Sequence, residues 1–154
     1  MCKLIVPILI VIFLFGCDPG IHLRPSNLDK ESIYVRSLDH GNIQLKIQDI
    51  GGLIGETWES FVLDVHNNSK KSLVLESAIL EAGEVRFIGD VEKIGPVKLP
   101  RQTVESGKQG RLSSYWDFDK PLFQIYQGKI EIILTFIHGS EEIVLRIPFE
   151  NIDS

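Results

Sequence analysis

Two acidic side chains near the middle of the chain have a spacing that chemistry could use. Asp117 and Asp119 are two residues apart, so in an extended strand both would point to the same side. A carboxylate pair of this kind can bind calcium or act as acid and base. The surrounding sequence lacks the further acidic positions and the glycine of an EF-hand-type loop, and Lys120 neutralises part of the charge. We therefore expect a solvated strand end here, without a metal or catalytic role.

The other reactive residue types also lack the spacing of a known site. His22, His40, His66 and His138 stand singly, without H-x-H or H-E-x-x-H spacing, and the last two are expected to be solvated where strands meet turns. The glycine-rich residues 51–55 lack the Lys-Ser/Thr of a phosphate loop and are expected to form a loop between strands. No G-x-S-x-G elbow occurs. The sequence therefore predicts no enzyme, no catalytic residue, no cofactor and no metal site.

The N-terminal residues have the three parts of a targeting leader. Lys3 supplies a positive charge and is followed by the apolar run 4–15. Twelve residues would form about 18 Å of helix, against roughly 30 Å of bilayer hydrocarbon. Pro7 would further weaken a permanent helix. The run is therefore typical of a targeting segment that is removed after export.

The end of this run, Leu14-Phe15-Gly16-Cys17, resembles the lipobox of bacterial lipoproteins. The resemblance implies that residues 1–16 are a signal peptide and that the Cys17 thiol accepts a diacylglycerol. Phe15 is bulkier than the small residue usual at its position. The alternatives are a secretory leader cut at another site and a buried thiol in a core helix. The turn-rich residues 18–27 argue against the helix.

Lipidation of Cys17 would leave the mature chain without a free thiol. The other cysteine, Cys2, lies in the leader, so a disulfide, a C-x-x-C site and a thiol nucleophile are all excluded.

The residue after the lipidated cysteine, Asp18, bears on which membrane holds the protein. In enterobacterial-type envelopes the family's sorting rule retains such a protein in the inner membrane, facing the periplasm. In other hosts we expect the outer membrane or the cell surface.

The charge of the chain excludes nucleic acid as a partner. The net charge is −5 and the pI is about 5.4, whereas binding to phosphates needs a clustered basic face. The basic residues are scattered singly, apart from Lys70-Lys71. The expected partners are the membrane, through the lipid on Cys17, and an envelope protein.

The remaining chain divides into a tether and a β-domain. Residues 17–31 are expected to be a flexible tether, because Pro19, Gly20 and Pro25 interrupt regular structure.

The β-domain extends from residue 32 to residue 154. Its hydrophobic residues recur with a dominant period of two, and no convincing amphipathic helix occurs. Alternation places Leu112, Trp116 and Phe118 on one core-facing side of a strand. The predicted strands are 32–36, 42–48, 61–65, 72–80, 84–88, 97–99, 112–118 and the C-terminal hairpin 130–137/143–149.

Two segments carry a resemblance to a known fold. FVLDVHNNSKKSLVLESAIL (61–80) is a strand, an Asn-rich turn and a second strand, and TVESGKQGRLSSYWDF (103–118) is a glycine turn before a Trp-bearing strand. With them, residues 32–149 resemble an immunoglobulin-like domain of bacterial envelope proteins. The resemblance implies an all-β, two-sheet antiparallel sandwich. It lacks the paired cysteines of antibody domains and carries no functional residue.

One surface is a candidate for interaction. If Trp116 points inward, Tyr115 points outward, and the following connection adds Phe123 and Tyr126. Exposed aromatic residues are common in binding hot spots. The alternative is that Phe123 and Tyr126 plug the end of the sandwich.

Two classes of function remain open. The first is a non-enzymatic, membrane-anchored envelope lipoprotein that presents the β-sandwich for protein–protein interaction. The second is a carbohydrate-binding or enzymatic accessory domain with a site built from loops. A shallow aromatic patch or open sheet edge favours the first, and a deep pocket with convergent carboxylates or histidines favours the second.

Overall fold

The computed structural model describes residues 20–52, 57–94, 96–98, 102–126 and 128–152. The predicted signal peptide 1–16, the lipidation site Cys17 and the sorting residue Asp18 lie outside these residues. Within them, no helix is long and apolar enough to cross a membrane.

The described residues form thirteen strands and one short helix. They are β1 (Ile21–Pro25), β2 (Ile33–Leu38), β3 (Gly41–Ile47), β4 (Ile50–Gly52), β5 (Trp58–Asn67), β6 (Leu73–Ala82), β7 (Val85–Ile88), β8 (Lys93–Ile94), β9 (Val97–Lys98), β10 (Thr103–Val104), β11 (Lys108–Asp117), α1 (Leu122–Ile125), β12 (Ile130–His138) and β13 (Glu141–Asn151).

Two antiparallel sheets form the sandwich, and β8 pairs with β9 in a separate two-stranded sheet. The larger has the order β10-β6-β12-β13-β1-β4, with β7 also paired to β6, and the smaller has the order β11-β5-β3-β2. Their inner faces pack together, as shown by Phe61 of β5 and Phe149 of β13, whose ring centroids are 6.2 Å apart in an edge-to-face arrangement. The predicted all-β, two-sheet antiparallel sandwich is confirmed. The first strand of the C-terminal hairpin, β12, lies inside the larger sheet, between β6 and β13.

The core follows the period-two pattern. In β11, Leu112 and Trp116 are fully buried, and Phe118 just beyond the strand is buried as well. The prediction that these three side chains lie in the core is confirmed. Trp116 packs on Phe61 with a centroid separation of 6.1 Å. Burial of a large apolar side chain contributes roughly 1.5–3 kcal/mol to stability, so this cluster holds the smaller sheet against the larger.

The predicted tether is wrong over residues 21–25, which form strand β1. This strand pairs with β13 on one side and β4 on the other. Ile21 and Leu23 are buried, because alternation directs both toward the core. Pro25 is accommodated because it is the last residue of the strand, where a missing amide donor is tolerated.

The prediction that residues 51–55 form a loop is wrong for residues 51 and 52, which belong to strand β4.

The connection between β11 and β12 contains a helix that the sequence pattern did not predict. Leu122 and Ile125 of α1 face the core. Four residues are too few for a 3.6-residue period to be recognised, and the helix depends on this packing rather than on its own propensity.

The long strands give the sandwich two ends. Gly20 and the end of β13 lie at one end, where the Ile152 amide donates to the His22 carbonyl at 3.1 Å. The hairpin turns β2–β3, β5–β6 and β12–β13 lie at the other, which we call the distal end. The eleven residues of β13 connect the two ends and span roughly 34 Å.

Candidate functional site

A stacked aromatic pair lies on the outer face of the smaller sheet, toward the Gly20 end. Trp58 is 45% exposed and stacks on Tyr115, with ring centroids 6.0 Å apart and an interplanar angle of 23°. The Tyr115 hydroxyl donates to Asp117 Oδ1 at 3.2 Å. Burial of the phenol, and then this hydrogen bond, raise the pKa of Tyr115. The phenol therefore remains a neutral donor at physiological pH, and the pair is held in one geometry.

The other two members of the predicted patch lie near α1. Phe123 is 37% exposed, whereas Tyr126 is half-buried, packs against the core and is held by two hydrogen bonds. Its hydroxyl donates to the Gly128 carbonyl at 2.8 Å and accepts from the Asn151 amide at 3.1 Å. Among the described residues, neither Phe123 nor Tyr126 makes a ring contact with Tyr115. Tyr126 thus closes the end of the sandwich, and Trp58 is the aromatic residue that accompanies Tyr115.

A cleft opens at the distal end, where three hairpin turns meet. We call it the distal cleft; its volume is about 380 Å³, and it is lined by residues 36–40, 69–71, His138 and Glu141. Gly41 brings the first two turns together. Its φ of +115° is strained for other residues, and a Cβ at this position would overlap the Asn68 carbonyl oxygen. The Asn68 amide donates to the Asn42 carbonyl at 2.9 Å across the same contact.

A buried Ser–His contact forms the floor of the distal cleft. Ser69 Oγ lies 2.7 Å from His138 Nε2, 2.6 Å from Asn67 Oδ1 and 3.0 Å from the Lys71 carbonyl oxygen. The last two atoms can only accept, and a serine hydroxyl has one proton to donate. We therefore assign the Ser69 proton to Asn67 Oδ1 and an Nε2–H donor to His138. In that state the imidazole cannot take a proton from Ser69, so the pair is a structural contact rather than an activated nucleophile.

Burial and nearby charge keep the His138 ring neutral. Desolvation lowers the pKa of His138, the positive charge of Lys71 lowers it further, and the carboxylate of Glu141 opposes this shift. Glu141 is itself engaged by Arg36, with a guanidinium–carboxylate distance of 3.0 Å. A hydrogen bond with the Tyr34 side chain, and then the one with Glu141, raise the pKa of Arg36. The Arg36–Glu141 pair joins β2 of one sheet to β13 of the other.

Similarity to known proteins extends to the fold alone. No protein-family model matches the chain, and no curated protein matches it. A functionally unknown protein from Listeria monocytogenes EGD-e has a similar structure, with a TM-score of 0.52 and 13% sequence identity over 83% of this chain and 87% of that chain. The likeness supports the sandwich architecture.

The acidic pair Asp117 and Asp119 is not part of a larger cluster of metal-ligating residues. Both side chains are exposed, and Asp117 is the acceptor for Tyr115. Across the described ranges, no group of three or more His, Cys, Asp or Glu side chains could hold a metal ion.

Sequence reasoning missed the positions of two side chains, which lie toward opposite ends of the sandwich. His138 is buried, not solvated as expected; it shares the inward parity of Ile132, Leu134 and Phe136, so continued alternation would have placed it inside. Trp58 has the opposite parity to Phe61, which already directs it outward. Assembly of the distal cleft from three distant turns has no local sequence signal.

Proposed function

We propose that this protein is a non-enzymatic lipoprotein of the bacterial envelope, anchored through Cys17, whose β-sandwich binds another envelope protein. The observation that carries the binding role is the stack of the exposed Trp58 on the half-buried Tyr115. Indole and phenol rings bury a large area when a partner covers them. Because stacking and the Asp117 hydrogen bond already order the pair, binding would lose little side-chain entropy.

The contrast between the distal cleft and the aromatic pair supports a binding role over an enzymatic one. In the distal cleft, the Ser–His contact has the proton arrangement of a structural bond. The aromatic pair, by contrast, lies on an open sheet face, as expected of a surface that meets a protein. A shallow aromatic patch is the feature that favours the first of the two function classes.

The position of the pair also suits a partner at the membrane surface. Three peptide units separate Cys17 from Gly20 and reach at most about 11 Å. A lipid on Cys17 would therefore keep the Gly20 end of the sandwich, and Trp58 with it, close to the bilayer. The partner would then be the envelope-exposed part of a membrane protein or another anchored protein.

Site-specific photocrosslinking in native envelopes tests the interaction. A photoreactive residue at Asp119, an exposed position two residues beyond Asp117, should give a specific adduct. The same residue at Val144, which is 49% exposed on the other sheet, is the control. Trp58→Ala should abolish the adduct at position 119 while the protein remains folded. Equal adducts at both positions, or an adduct that survives Trp58→Ala, would contradict the proposal.

The anchor is tested separately. Mass spectrometry of the N-terminal peptide should show a mature chain that begins at lipidated Cys17, and Cys17→Ser should accumulate as an unprocessed precursor. An unmodified Cys17, or a mature N-terminus elsewhere, would contradict the lipoprotein assignment without affecting the crosslinking result.

A further inference from the structure

The distal cleft has an excess of positive charge on an acidic protein. The net charge of the chain is −5, yet the cleft is lined by Arg36, Lys70 and Lys71 against Asp39 and Glu141. Arg36 is paired with Glu141. Among the described residues, no ion pair involves Lys70 or Lys71. Two ammonium groups are thus available to a ligand in the cleft.

Gly139 leaves room for the Lys71 side chain beside the floor of the distal cleft. Gly139 has a φ of +66°, and a Cβ there would press against Cδ, Cε and Nζ of Lys71. The lysine side chain therefore crosses the β12–β13 turn beside His138, with its charge over the concave surface.

We propose that the distal cleft binds a small ligand through its phosphate group, with Lys70 and Lys71 as the charge partners. Ammonium groups on flexible stems act as point charges and suit a phosphate dianion. The Arg36 guanidinium, whose fork would bind a carboxylate or a phosphate, is already paired with Glu141. Ser37 and His40 also line the cleft and supply further polar groups. Its volume of about 380 Å³ lies within the range of small-molecule sites. This site is separate from the Trp58 surface and does not depend on a partner there.

The location of the cleft favours a soluble phosphate compound over a lipid headgroup. The distal end lies roughly 34 Å from the Gly20 end, by the length of β13. If Cys17 holds the Gly20 end at a bilayer, the cleft opens away from the headgroups of that bilayer.

His138 provides an internal reporter for the ligand. Ser69 is hydrogen-bonded to its ring, and Lys71 and Glu141 act on its charge. The other charged or titratable groups that line the cleft are Arg36, Asp39, His40 and Lys70. A phosphate held by the two lysines adds negative charge here and favours protonated imidazole. Binding should therefore raise the pKa of His138.

Calorimetric titration with inorganic phosphate tests the site, using full-length protein in phosphatidylcholine nanodiscs at low ionic strength. The wild type should bind, and the double variant Lys70→Gln/Lys71→Gln should bind at least about tenfold more weakly. The matched control is Lys98→Gln/Lys129→Gln, which removes the same charge from exposed positions outside the cleft and should keep its affinity within about twofold. Absence of binding by the wild type, or equal weakening in both double variants, would overturn the proposal. Thermal melts of the variants confirm that each one is folded.

Nuclear magnetic resonance of the His138 ring locates the bound ion and identifies its source. Added phosphate should raise the pKa of His138 in phosphatidylcholine nanodiscs, and an unchanged pKa would overturn the assignment to this cleft. Nanodiscs that contain phosphatidylglycerol, without added phosphate, form the second arm. A pKa that rises there would support phosphate recognition but overturn the soluble source, whereas no change there supports a soluble ligand.

Discussion

Ser69 and His138 are separated by 69 positions in the chain, yet their side chains are joined by a buried hydrogen bond of 2.7 Å. The contact links the β5–β6 turn to the end of β12, where His138 also lies opposite Leu73 of β6 in the sheet ladder. Because the His138 ring is held neutral, the contact makes the stability of the distal end depend on pH.

The domain should lose stability as the pH falls below about 6.5, the ordinary pKa of histidine. The folded-state pKa of His138 is lowered, so the unfolded chain takes up a proton before the folded chain does. The stabilisation is complete above the unfolded pKa and decreases as the pH falls toward the folded one. Urea denaturation at about pH 7.5 and about pH 5.5 measures the change. His138→Gln, which can still donate to Ser69, should remove much of it, and His66→Gln should retain it. The same pH dependence in both variants would exclude His138 as the source.

Asn67→Ala should destabilise the domain by roughly 3 kcal/mol. The Asn67 side chain is fully buried, and its Nδ2 donates to the carbonyl oxygens of Lys71 at 2.8 Å and Val104 at 3.0 Å. Loss of the amide leaves buried acceptors without this donor. Chemical denaturation gives the free energy, and Asn68→Ala at the exposed neighbouring position should cost less than about 0.5 kcal/mol. Equal costs for the two variants would contradict the assigned role. These bonds also engage the atom that glycosylation of the Asn67-Asn68-Ser69 sequon would modify.

Gly41→Ala should cost more than about 2 kcal/mol. The substitution combines backbone strain at a φ of +115° with overlap between the new Cβ and the Asn68 carbonyl oxygen. Gly107→Ala is the matched control, because Gly107 has a φ of +70° but a Cβ added there would meet no atom within 4 Å. Its cost should be limited to backbone strain, about 1 kcal/mol. A similar loss in thermal denaturation for both variants would show that the turn contact adds nothing.

Truncation of the two tryptophans should destabilise the domain to different extents. Trp116→Ala removes a fully buried indole and should cost roughly 3–5 kcal/mol. Trp58→Ala removes an exposed ring whose stacking on Tyr115 contributes about 1 kcal/mol. Urea midpoints followed by circular dichroism compare the two. A larger loss for Trp58 would mean that the assigned faces of β5 and β11 are reversed.

The period of two was sufficient to predict the sandwich and the orientation of its long strands. It placed Trp116 inside and Tyr115 outside, because successive side chains of a strand point to opposite faces. It did not reveal β1, since five residues that end in proline offer only two inward positions before that proline. Helix α1 is shorter than the window that its period requires.

The distal cleft was beyond sequence reasoning for a different reason. Arg36 lies in β2, Lys71 in the β5–β6 turn and His138 at the end of β12. Their proximity depends on strand order and register across both sheets. Residues of this kind become neighbours through long-range pairing, which a local pattern does not encode. Lys70-Lys71 was visible as a pair of adjacent basic residues, but its relation to His138 was not.

The hydrogen bond between the Ile152 amide and the His22 carbonyl, at 3.1 Å, makes the domain suitable for circular permutation. A short glycine–serine linker could connect position 152 to position 20 directly, and new termini could be opened at Gly139-Ser140, in an exposed hairpin turn. A signal sequence and lipidation site fused before residue 140 would then hold the opposite end of the sandwich at the bilayer. Such an inverted protein would present Trp58 and Tyr115 to the solvent far from the membrane and bring Lys70 and Lys71 to its surface.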